Sequence, residues 1–199
     1  ETDFKIALIS AGIGSGLHQL LWQVPGASNT LLTCEFPYHE GAIKKELGSI
    51  PSKYISMDTA LKYANLAYFK GLSINLSPSI IGVGVTGAAV SSRKRKGPDH
   101  ALIVVKTSKQ IIFTHITFDK DKLSRIEQSE ICDLFALNLI FKIAGISPLT
   151  IPSYGINSFS CEIEKELTTN FINFSYLENL NYLNENGVDP NQHILFPVT

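Results

Sequence analysis

Residues 4–26 read FKIALISAGIGSGLHQLLWQVPG. The opening FKIALIS is a short apolar run of β-compatible residues, and it stops at Ala-Gly-Ile-Gly-Ser-Gly, the pattern of a buried strand that ends in a glycine-rich turn. Beyond the turn, Leu17, Leu20, Leu21 and Val24 recur at helical spacing, and Pro25-Gly26 closes the segment. Strand, glycine turn and helix in this order open an α/β domain.

The rest of the chain continues the alternation. NTLLTCEF reads as a second strand, and HEGAIKKELG as a short helix closed by Gly48. Ser56 is the N-cap of a helix over MDTALKYANLAYFKG that is expected to end at Gly71. SIIGVGVTGAAV is a glycine-spaced β run of the kind buried on both faces where a ligand or another backbone comes close, and it is expected at the centre of the sheet. HALIVVKT and QIIFTHITF form a hairpin, and a long helix runs from Ser124 to about Ala144, with Gly145 at its end. The expected fold is a three-layer α/β/α sandwich with a mixed sheet of about five to six strands. Residues 1–147 are assigned to this domain. Residues 148–199 are assigned to an extension or linker, with HILFPVT at 193–199 reading as the start of a strand.

Bulk properties limit the partners. The chain has 199 residues, 44% hydrophobic and 18% charged, with net charge −1, so no global field draws it to nucleic acid or to an anionic membrane. Its three cysteines are widely spaced and form no zinc-type cluster with the histidines, so no metal or cofactor is expected, and a reducing, cytoplasmic location is. No apolar stretch reaches the roughly 20 residues that span a bilayer.

The candidate site residues gather around the turns. Backbone amides at Ala11, Gly12 and Gly14 suit a phosphate or oxyanion at a helix start, or merely make a tight connection. Thr86 and Gly87 end the central strand, where α/β ligands bind. Ser10, Ser15 and Ser28 are candidate nucleophiles, Ser10 or Ser28 with Lys44 as partner, or else Ser10 ends a strand and Ser28 closes a turn. Tyr38 beside His39-Glu40 either orients a ligand or packs half-buried. In the basic run 93–96, Arg93 and Lys96 either clamp a phosphate or lie on a solvated loop; polymer binding would need a wider basic face. Asp99-His100 is either a base with its orienter or a structural histidine at a strand start. Arg125 near a helix start opposes the dipole, which points to a phosphate or to a salt bridge with Glu127 or Asp121.

Several segments in this order also carry a resemblance. VPGAS at 24–28 with Tyr38 ten residues beyond Ser28, SMDTA at 56–60, GVTGAA at 84–89, and Arg125 followed by Ala136-Leu137 together resemble the CinA C-terminal (nicotinamide-nucleotide amidase) family over about residues 4–145. The resemblance implies a nucleotide-sized pocket, a small-molecule nucleotide as ligand, hydrolysis of the amide of nicotinamide mononucleotide in active members, and self-association into at least a dimer. It also implies departures here. The family's catalytic serine falls on Ala11, with Ser10 on its glutamate position, and the partner lysine falls on Ile43, one residue before Lys44. A one-residue shift on a helix turns a side chain by roughly 100°. The basic loop AAVSSRKRKGPDH resembles a branch fused ahead of a nucleotidyltransferase domain, and HILFPVT looks like the opening of such a domain's strand. The expected function is a catalytically degenerate nucleotide-binding domain that regulates or assembles a larger protein. The alternative is an active amidohydrolase.

Overall fold

A computed structural model describes residues 3–76, 79–92 and 95–164. The chain runs β1 (Lys5–Ala11), α1 (Leu17–Trp22), a short 3₁₀ turn (Ala27–Asn29), β2 (Leu31–Glu35), α2 (Glu40–Leu47) and α3 (Met57–Ile74), then β3 (Ile80–Ala88), β4 (Asp99–Lys106), β5 (Ile111–Phe118), α4 (Arg125–Ala144) and β6 (Ile156–Glu164). The six strands form one sheet in the order β2-β1-β3-β4-β5-β6. β1 is parallel to β2 and β3, while β4, β5 and β6 follow by antiparallel pairing. α1 and α4 cover one face and α2 and α3 the other, which is the expected three-layer sandwich with a mixed sheet.

The glycine spacing of β3 is explained by α3. Gly82 and Gly84 point to the same face. A Cβ on Gly84 would lie 2.1 Å from the carbonyl oxygen of Ala60, and one on Gly82 would lie 2.4 Å from that of Ala64. The small residues Ala60 and Ala64 on α3 therefore rest directly on the strand's backbone, and the close neighbour is a helix rather than a ligand. Gly71 plays the same part. A Cβ there would meet Ile80 at 2.8 Å, so Gly71 permits contact with the start of β3, and α3 runs on past it to Ile74.

α4 is stopped and started by its own sequence. Ser124 and Glu127 form a reciprocal capping box, and Gly145 closes the helix in the left-handed region at φ 71°. Residues 156–164, read from the sequence as part of an aperiodic extension, form the edge strand β6. Thr114 pairs with Cys161 and Ile116 with Phe159, and Phe159 meets the Phe135 ring of α4 with centroids 5.3 Å apart. The strand expected at 193–199 and the side chain of Arg93 lie outside the described residues. Among the described residues no helix is long and apolar enough to cross a membrane, and no cluster of three or more metal-ligating side chains occurs.

Candidate functional site

The chain leaves β1 towards α1 on one face of the sheet and leaves β2 towards α2 and α3 on the other, and α/β proteins open a crevice at the carboxyl ends of strands where the connections diverge in this way. Here Ala11 pairs with Thr86 in parallel register, so the glycine turn and the threonine corner are direct neighbours. A Cβ on Gly12 would sit 2.5 Å from the Gly87 carbonyl oxygen, and one on Gly87 would strike Ile13 at the same distance. The two corners touch backbone to backbone, and only glycine fits at either. Beside them lies a cavity of about 390 Å³ whose walls include Ala11, Ile43, Tyr54, Tyr63, Arg95 and Arg125. Tyr38, Thr86 and Gly87 line it as well. Thr86 is buried, and its hydroxyl donates to the Tyr54 carbonyl at 2.9 Å, which ties the loop before α3 to the end of β3.

α4 organises the glycine turn through one stripe of side chains. Arg125, Ser129 and Asp133 recur every four residues and so share a helix face. Arg125 donates to the Gly12 carbonyl at 3.1 Å. The Ser129 hydroxyl accepts the amides of Gly14 and Ser15 at 3.2 Å each, and Asp133 Oδ2 accepts the amide of Gly16 at 3.0 Å. Of the amides read as donors to an anion, that of Gly14 is therefore already engaged within the protein. The amides at Gly14, Ser15 and Gly16 are satisfied from within, and a carboxylate already sits at the α1 N-terminus, where the dipole favours it. Burial pushes the Asp133 carboxyl up to about 7 even though the Gly16 and Leu17 amides pull it down.

The two arginines of the cleft are held by carbonyl groups. Arg125 reaches the carbonyls of Gly12 and Val90 and lies 3.4 Å from the Tyr38 hydroxyl. Among the described residues it has no carboxylate partner, so the salt bridge to Glu127 or Asp121 does not form. Tyr38 is 74% exposed, a reaching residue and not a half-buried packing one. Arg95 donates to the carbonyls of Ala88 and Ala89 and pairs with Asp99, whose other oxygen accepts from fully buried Gln128 at 3.2 Å. Gln128 in turn accepts the Val90 amide at 2.7 Å, closing a network that fixes the loop after β3.

The sequence-predicted nucleophiles and lysine do not converge. Ser10 is buried, and its hydroxyl donates to the Ile13 carbonyl at 2.6 Å, bracing the turn. Ser28 lies in the 3₁₀ turn before β2, beside Thr30, whose carbonyl accepts the Ile6 amide at 2.7 Å. That is the amino-terminal end of β1, and the cleft is at the other. Lys44 is exposed, while its neighbour Ile43 is buried and lines the cleft. Lys96 is exposed and outside the cleft wall, which takes Arg95 from the same basic run. Asp99 and His100 point to opposite faces of β4, so they do not pair; His100 meets His115 at 3.0 Å instead. Gln128, Ser129 and Asp133 are site residues that the sequence does not single out, and Arg95 belongs to the basic run 93–96 read as a phosphate clamp or a solvated loop. Nothing local distinguishes Arg95 from its basic neighbours, whereas the spacing Arg125, Ser129, Asp133 at intervals of four on one helix face is a usable signal.

Among known proteins, no family model matches the chain and no curated protein matches it. Solved structures do. The chain is similar to the competence/damage-inducible protein CihA from Agrobacterium tumefaciens at 17% identity and a TM-score of 0.58, over 71% of this chain and 86% of that one. It is similar to a competence or damage-inducible protein from Enterobacter asburiae at 12% identity and a TM-score of 0.56, over 73% and 89%. A CinA superfamily protein from Escherichia coli matches at 11% identity and a TM-score of 0.55, over 71% and 81%. At such identities the likeness concerns the backbone, and what it establishes is that this chain shares the fold of these proteins.

Proposed function

We propose that this domain binds a nucleotide in the cleft at the carboxyl ends of β1 and β3 without hydrolysing an amide, and that binding regulates or assembles a larger protein. The observation that carries this reading is the pair Ala11 and Ile43. Both line the cleft, and both stand where the amidase resemblance places the nucleophile and its lysine. A methyl group and a branched alkyl chain neither attack a carbonyl nor take a proton. Around them the wall keeps what binding requires. Arg125, without a carboxylate partner among the described residues, offers fixed positive charge to a phosphate, and Tyr38, Tyr54 and Tyr63 offer aromatic rings to a base. Removing a nucleophile from a site lowers turnover far more than it lowers affinity.

The same reading includes self-association and, in the natural protein, a covalently attached nucleotidyltransferase partner; it rests there on the resemblance alone. Its test is calorimetry with nicotinamide mononucleotide and the common ribonucleoside monophosphates, run beside an ammonia-release assay. The expected result is saturable binding and no ammonia. Ammonia release by the unaltered protein, abolished by Ser10→Ala or Lys44→Ala, would replace this reading with the active amidohydrolase.

A further inference from the structure

The edge strand β6 outflanks the helix layer beside it. Ile116 of β5 lies in the core that α4 closes, and its cross-strand neighbour on β6 is Phe159. By alternation Cys161 and Ile163 face the same side, yet Phe159 is 62% exposed and Ile163 39%. Ile146, just past the end of α4, is 44% exposed. A groove of about 1050 Å³ runs between α4 and β6, walled by Phe135, Leu139, Ile146, Ile151, Ile156 and Phe159. Its shape is fixed, because Asn138 of α4 donates to the Leu149 carbonyl at 2.8 Å and accepts the Leu149 amide at 2.7 Å, holding the crossing from α4 to β6. An apolar sheet face is buried against another layer, and an open apolar patch of this kind marks a docking surface.

The chain itself supplies the occupant. β6 ends at Glu164, and after the mostly polar residues 165–170, KELTTN, residues 171–183 read FINFSYLENLNYL. Phe171, Ile172, Phe174, Leu177, Leu180 and Leu183 are side chains of the kind such a groove takes. Residues 165–170 span at most about 20 Å when extended, so the segment begins within reach of the groove that Cys161 lines. So short a tether holds the segment at an effective concentration on the order of millimolar, well above what a separate copy reaches in dilute solution. Charge agrees as well. Among the described residues of the wall only Lys142 is charged, and in 171–183 only Glu178 is. We infer that residues 171–183 dock in the groove between α4 and β6 and complete the layer over the edge strand. The chain that follows the domain is thereby fastened to α4, whose other end carries Arg125 of the cleft.

Cys161 provides the test. It is exposed in the groove wall, whereas Cys132 is buried and Cys34 half-buried. Its maleimide labelling rate in the full chain, read by peptide mass spectrometry, reports whether the groove is covered. The variant Phe174→Asp/Leu177→Asp sets two carboxylates in the segment and leaves residues 1–164 unchanged. The expected result is labelling of Cys161 at least about tenfold slower in the unaltered chain than in this variant, with a ratio that dilution does not change. Ile146→Asp, on the exposed rim of the groove, should release Cys161 to the same extent. Equal rates in the unaltered chain and the segment variant overturn the docking, and so does a Cys161 still protected in Ile146→Asp. Protection that fades on dilution gives the groove to a second copy and overturns docking by the chain's own segment. Fast labelling of Cys132 marks a variant that has unfolded, and the other variant then decides.

Discussion

Asp133 Oδ2 accepts the Gly16 amide at 3.0 Å across a sequence separation of 117 residues, so α4 supplies the cap that α1 lacks. α1 is only six residues long, has Gly16 at its N-cap and has no side-chain cap of its own. A helix this short is marginal by itself, and its geometry is borrowed from the long helix packed beside it. The same carboxyl is held above its ordinary range by burial, a strain on its charged form.

That strain predicts a pH dependence. Burial raises Asp133 from its ordinary 3.8 to about 7 in the folded protein. Between those values the folded state keeps a proton that the unfolded chain has lost. The contribution is therefore fully present below about pH 4 and is lost as pH rises through about 7, with a slope of at most about 1.4 kcal/mol per unit. Asp133→Asn keeps an acceptor for Gly16 and removes the titration. Urea denaturation across this range is expected to show the wild-type protein losing stability relative to the variant as pH rises. A constant difference would assign the carboxyl an ordinary pKa.

The contact between Gly12 and Gly87 predicts a sharp contrast between two alanine substitutions. Gly12 has φ 85°, and an added Cβ would lie 2.5 Å from a backbone oxygen; Gly145 has φ 71° but meets nothing within 4 Å. Gly145→Ala is expected to cost about 1 kcal/mol, the left-handed penalty alone. Gly12→Ala adds an overlap that no rotamer relieves and should cost on the order of 3 kcal/mol. Thermal denaturation of both variants gives the comparison, and equal losses would mean that the turn yields.

Much of this was legible from residue order. The glycine turn after FKIALIS, the Ser124 helix start and the central place of SIIGVGVTGAAV all follow from local pattern, because burial on both faces demands an unbroken apolar run. What stayed hidden depended on partners far along the chain. Gly71 reads as a helix stop until β3 is placed against it. β6 alternates Phe159, Cys161 and Ile163 with Ser158, Ser160 and Glu162, but so short a period is lost in a polar stretch until β5 supplies an edge to pair with. Within the site, Ala11, Thr86 and Arg125 were named in advance because they end elements. Ser10 and Ser28 misled because a serine's neighbours decide whether its hydroxyl faces a ligand or a carbonyl.

The network behind Arg95 predicts that a residue with no place on the cleft wall governs it. Gln128 is fully buried and joins Asp99 to the Val90 amide. Gln128→Leu leaves both partners without their bond and is expected to cost about 2–4 kcal/mol, the range for unpaired buried groups. It should also loosen Arg95 and weaken nucleoside monophosphate binding, while Gln128→Glu keeps an acceptor for Val90 but sets a carboxylate against Asp99. Calorimetry on the leucine variant checks this. Full affinity would show that Arg95 needs no such support.

On the opposite side of the sheet, Lys70 of α3 reaches Glu35 at 2.6 Å and pairs as well with Glu46, bridging β2 and α2. All three side chains are less than a third exposed. Burial raises the Glu46 carboxyl first, and its hydrogen bond with Glu35 raises it further, while Lys70 draws it down. Replacing Lys70 with methionine keeps the packing of the stem but leaves two carboxylates facing each other. Near pH 7 this is expected to cost about 2 kcal/mol, below the value for a fully buried pair because the site is partly wet. In the variant Glu46 rises further, so its folded-state proton is retained to higher pH than in the unfolded chain. The deficit should therefore shrink in acid, once Glu46 is protonated in both states, and grow as pH climbs through its folded pKa. Urea midpoints of wild type and Lys70→Met at about pH 4 and about pH 7 measure it. A deficit of the same size at both would mean that the lysine contributes packing and not charge.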